Sequence, residues 1–156
     1  MLQKYGFWPY STRMGMSSML WYELFRFCHY LSVSDHGISE AEAAFMRTVL
    51  NDKTSVEEMM EYVRDSHVYS SGFLNEIPLI IQGGVKAEQE ANRALQGAGK
   101  VEIVEKLISC FEQVGREFVK ADGLTKEEAR DYNLYMRNLV GYLTQKQYTG
   151  IGFREL

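Results

Sequence analysis

Apolar residues recur three and four positions apart along most of this chain. Leu20, Leu24, Phe27 or Cys28 and Leu31 share one stripe, and Val101, Val104, Leu107 or Ile108, Phe111, Val114 and Phe118 share another. That spacing lines one face of an α-helix. From Ser39, the residues Ala41, Phe45 and Val49 keep the same period, and after Thr125 so do Ala129, Tyr132, Met136, Leu139 or Val140 and Leu143. No segment sustains a period of two, so the pattern predicts an all-α fold of about six to seven helices.

Capping and breaking residues place the ends. The first helix starts at Ser17 or Ser18 and stops near Val33; the second starts at Ser39 and stops around Asn51-Asp52. Thr54 and Ser55 ahead of Glu57 and Glu58 announce a third over 56–65, and 66–75 reads as loop. Pro78 suits a first turn and opens a run that Gly83-Gly84 is expected to break or kink and that Gly97 and Gly99 end. The last long helix begins after Thr125, and the chain from Thr144 onward is expected to fray. The organisation is therefore an arm over 1–16, a helical domain over 17–146 and a tail over 147–156.

Two stretches repeat one device. Shifting the chain by 86 residues superposes, without a gap, Phe25 on Phe111, Val33 on Val119, Gly37 on Gly123, Ile38 on Leu124, Ser39 on Thr125, Glu42 on Glu128 and Ala43 on Ala129. Each copy is an amphipathic helix, a short Asp/Gly turn, an apolar plug, a capping box and a second helix. A duplicated helical hairpin explains this economically. In the box, Ser39 or Thr125 and the glutamate three residues on satisfy amides of the first turn. Gly37 and Gly123 are expected to supply the positive φ of a tight turn.

Asp35 and Asp122 sit in those turns. Neither loop is an EF-hand, because Glu42 and Glu128 follow their glycines by five residues where that calcium loop needs six. A structural role, accepting loop amides near a helix N-terminus, competes with a divalent cation held by Asp35 and Asp122 if the hairpins face each other. His29, His36, His67, Cys28 and Cys110 show no C-x-x-C or H-E-x-x-H spacing. Gly83-Gly84-Val85-Lys86 lacks the spacing of a phosphate loop. No local motif points to catalysis.

The pattern Asp35-His36-Gly37-Ile38-Ser39-Glu40-Ala41-Glu42, repeated as Ala121-Asp122-Gly123-Leu124-Thr125-Lys126-Glu127-Glu128, resembles the tellurite-resistance TerB-like domain over about residues 17–143. It departs from that family's usual Ala-Asp-Gly-x-Ile-Ser-x-x-Glu in carrying His36 and in a second loop one residue shorter. The resemblance implies an all-helical domain of about seven helices and a bacterial stress-response or defence role. It also implies a divalent-metal site in some members and association with an ATPase or other stress-operon protein. The expected function is a non-enzymatic interaction module; the alternatives are a divalent-cation sensor and a regulatory domain of an ATPase.

Composition narrows the field further. Of the 156 residues, 17 are basic and 21 acidic, giving a net charge of -4. With the signs interspersed there is no basic stripe for a nucleic-acid backbone. No apolar run reaches a membrane span, and the first residues lack the apolar core of a secretory signal. A cytoplasmic protein with reduced thiols is expected. The arm Tyr5-Gly6-Phe7-Trp8-Pro9-Tyr10 concentrates aromatics that Gly and Pro keep out of a helix, so Phe7, Trp8 and Tyr10 are candidate partner anchors.

Overall fold

A computed structural model describes residues 14–33, 38–49, 72–121 and 123–156, and in it the apolar stripes become five α-helices. They are α1 (Met14–Val33), α2 (Glu40–Val49), α3 (Leu79–Leu95), α4 (Val104–Val119) and α5 (Lys126–Gln145), with a 3-10 turn at Phe73–Asn75 before α3. No strand occurs among the described residues. The helix count there is below the six to seven expected; the helix predicted over 56–65 lies outside the described residues.

α4 is the hub. It packs on α1, α2, α3 and α5, and α1 in turn packs on α3 and α5. The broad arc Val104, Leu107, Ile108, Phe111, Val114, Phe118 and Val119 is buried, as are Leu20, Leu24, Phe27 and Leu31 of α1. Burial of two such faces against each other is the main favourable term of the fold, at about 25 cal/mol per Å² of apolar surface. Two glycines set how closely the helices meet. A Cβ at Gly115 would stand 2.8 Å from the Phe27 ring and 3.0 Å from Tyr132, and one at Gly84 would stand 2.6 Å from Leu107 Cδ1. Gly84 thus lets α3 lie on α4, and α3 runs through Gly83-Gly84 without the break that was one of the two expectations there.

The paired device is visible on both sides. The Glu42 N–H donates to Ser39 Oγ (3.1 Å) and the Ser39 N–H to Glu42 Oε1 (2.9 Å). The Glu128 N–H donates to Thr125 Oγ1 (3.2 Å), but here the Thr125 hydroxyl, not its amide, donates to Glu128 Oε1 (2.9 Å). Phe25 and Phe111 are both buried. Gly123 has φ +103° as expected; Gly37 lies outside the described residues. The symmetry is incomplete at the plug: Ile38 joins the core, whereas Leu124 is 47% exposed. The inward face of α2 is also rotated from the expected one, with Ala43 and Met46 fully buried and Ala41 and Phe45 only partly so. Ser39→Ala and Thr125→Ala should each lower the unfolding free energy by about 1 kcal/mol. Urea midpoints unchanged in both would contradict a shared capping role.

The two box glutamates belong to a larger rule. The four buried carboxylates among the described residues are Glu23, Glu42, Glu88 and Glu128. Each serves the N-terminus of one helix from α2 to α5. Glu42 Oε1 accepts from the Ser39 amide at the start of α2, and Glu128 Oε1 accepts from the hydroxyl of Thr125, the residue that caps α5. Glu88 Oε1, projecting from α3, accepts from the Ile103 (2.6 Å) and Val104 (3.1 Å) amides that open α4, and Glu23 of α1 faces the Leu79 amide that opens α3. A helix start offers unpaired N–H groups and a partial positive charge, which offsets the cost of taking a carboxylate out of water.

The expected frayed tail is instead docked. Helix α5 ends at Gln145, Gln147 turns the chain at φ +69°, and Ile151, Phe153 and Leu156 pack partly buried against the core.

Candidate functional site

A cleft opens where α1, the 3-10 turn and the start of α3 meet. It encloses about 590 Å³ and is lined by Tyr22, Glu23, Arg26, Phe73, Glu76, Leu79 and Tyr135, among others. Helical spacing puts Glu23 and Arg26 one turn apart, Glu23 on the inward stripe between Leu20 and Leu24 and Phe27. Pro78, with φ fixed by its ring, turns the chain into α3 and leaves Leu79 at the rim, 62% exposed.

Arg26 organises the cleft. Its Nη2 donates to Glu76 Oε2 at 2.9 Å, and its Nη1 lies 3.6 Å from Glu23 Oε2. The guanidinium carbon sits 4.8 Å from the centre of the Phe73 ring and 5.5 Å from that of Tyr22, a cation–π arrangement in which Arg is favoured over Lys. Burial pulls the guanidinium down, but the Glu76 hydrogen bond and the neighbouring carboxylates more than restore it, so it stays charged. Burial raises the Glu23 carboxyl; the Arg26 charge and the Leu79 amide oppose that only in part. Burial also pushes the Tyr135 phenol well above its ordinary value, with Glu23 adding to the effect. Tyr135 stacks on Phe27 at 4.2 Å, which fixes the cleft floor to the core.

Chemically the cleft offers aromatic walls, an exposed leucine and one guanidinium whose Glu76 partner stands at the surface. It can seat an apolar side chain and exchange Glu76 for another carboxylate. None of its described lining residues is Cys or His. Cys28 and Cys110 lie deep in α1 and α4 as buried free thiols. Burial, then the Glu42 charge and Cys110, holds the Cys28 thiol well above its ordinary value, and burial pushes that of Cys110 up to about 12. His29, its ring edge-on to Phe25 at 4.3 Å, is lowered by burial to about 3. The nucleophilic form of a thiol is the thiolate, so neither Cys is poised for attack.

Of the candidates read from sequence, Ser39, Glu42, Thr125 and Glu128 occupy their capping positions. Asp35 and Asp122 lie outside the described residues, as do Phe7, Trp8 and Tyr10. Among the described residues no group of three or more His, Cys, Asp or Glu side chains is placed to hold a metal ion. No described helix is long and apolar enough to cross a membrane. Sequence reasoning missed the cleft, although one signal was available: Glu23 and Glu88 each interrupt an inward apolar stripe, and a charged residue at such a position is seldom buried without a partner. Comparison with protein families, with curated proteins and with solved structures gives no match.

Proposed function

We propose that this chain is a TerB-like, non-enzymatic helical interaction module of a bacterial stress-response or defence assembly, and that it engages a protein partner through the cleft on α1. One observation carries the choice of surface: Tyr22 and Leu79 stand exposed around an aromatic-flanked arginine. Tyr and Arg dominate binding hot spots, and an apolar rim excludes water around them. The duplicated capping hairpin supports the family reading. The buried thiols and neutral His29 support a role other than catalysis.

Leu79 is exposed, so Leu79→Ser should leave stability within about 0.5 kcal/mol of the parent while abolishing recovery of partners from the native cells; Leu79→Met should retain them. Affinity purification of the three tagged chains with mass spectrometry reads this out. An identical set of co-purifying proteins with Leu79→Ser would refute the cleft as the docking site. A cation sensor built on Asp35 and Asp122 makes a different forecast. The interaction module melts at the same temperature with and without millimolar calcium, magnesium or zinc, whereas a sensor at 100 times its dissociation constant gains about 2.7 kcal/mol.

A further inference from the structure

We draw no further inference here: the strongest candidate, the polar cleft of about 590 Å³ where the end of α3 meets the start of α4, is a helix N-terminus whose opening amides Glu88 already holds and whose Lys100 is paired with Glu102, and nothing in the structure points to a ligand there.

Discussion

Phe27→Ala should lower the unfolding free energy by about 3–5 kcal/mol, the cost of deleting a large buried aromatic side chain. The ring is fully buried and touches three others: Tyr135 at 4.2 Å, Phe111 at 5.7 Å and Tyr132 at 6.4 Å between centroids. The upper part of that range is expected because the site has little with which to collapse. Gly115, directly opposite, has no side chain, and the Phe111 and Tyr135 rings hold each other in place at 6.2 Å. A double-mutant cycle sharpens the test. Gly115→Ala alone inserts a Cβ 2.8 Å from the Phe27 ring and should cost about 1–3 kcal/mol, whereas in the Phe27→Ala background the same methyl enters the vacated space and should cost less or stabilise. Guanidinium unfolding of the four proteins gives all the numbers. A loss below about 1.5 kcal/mol for Phe27→Ala, or additive effects across the cycle, would show that this ring cluster is not the centre of the core.

Stability should fall steeply on mild acidification, and His29 should be the cause. Its imidazole is lowered by burial from 6.5 to about 3, so the folded protein keeps it neutral while the unfolded chain protonates it below pH 6.5. The unfolded state then binds the additional proton, and unfolding gains about 1.4 kcal/mol for each pH unit between 6.5 and about 3. The stabilisation is complete above pH 6.5 and is lost as pH falls, on the order of 5 kcal/mol across the full window. Glu23 acts with the opposite sign: its raised carboxyl takes up a proton more readily in the fold, which favours the folded state in the carboxylate range. The clean interval is therefore pH 6.5 to 5. Urea midpoints measured there should slope for the parent and lie flat for His29→Leu, whatever the variant does to the plateau. An unchanged slope in His29→Leu would place the acid sensitivity elsewhere.

Each of these expectations combines something readable from sequence with something only contact supplies. That Phe27 faces inward follows from its place between Leu24 and Leu31, since helical period depends on nothing beyond the neighbouring residues. That it faces Gly115 and three rings depends on how α1 lies on α4. The sequence gives His29 no role, because a histidine on a helix looks alike whether its face meets solvent or core. Packing made it a sealed, neutral side chain.

Local rules determined the all-α class, the ends of most helices and the two capping boxes. Caps, turn residues and apolar period act over three or four residues, and Ser39 with Glu42 and Thr125 with Glu128 do the same work in a peptide as in a fold. They failed where a residue's role is set by a distant partner. Gly84 suggested a break or kink because glycine weakens an isolated helix, yet Leu107 Cδ1 lies close to where a Cβ would stand and α3 continues unbroken past it. The chain after Gln145 suggested a frayed tail because it carries glycines and no helical period, yet Glu112, Arg116 and Asn133 bond its backbone from two helices. The Arg26 cleft draws on α1, the 3-10 turn, α3 and α5, and the carboxylates of Glu23 and Glu88 serve helices other than their own. No spacing along the chain encodes such meetings: they arise when helices dock, because only then do a buried charge and an unpaired helix start come within hydrogen-bond reach of each other.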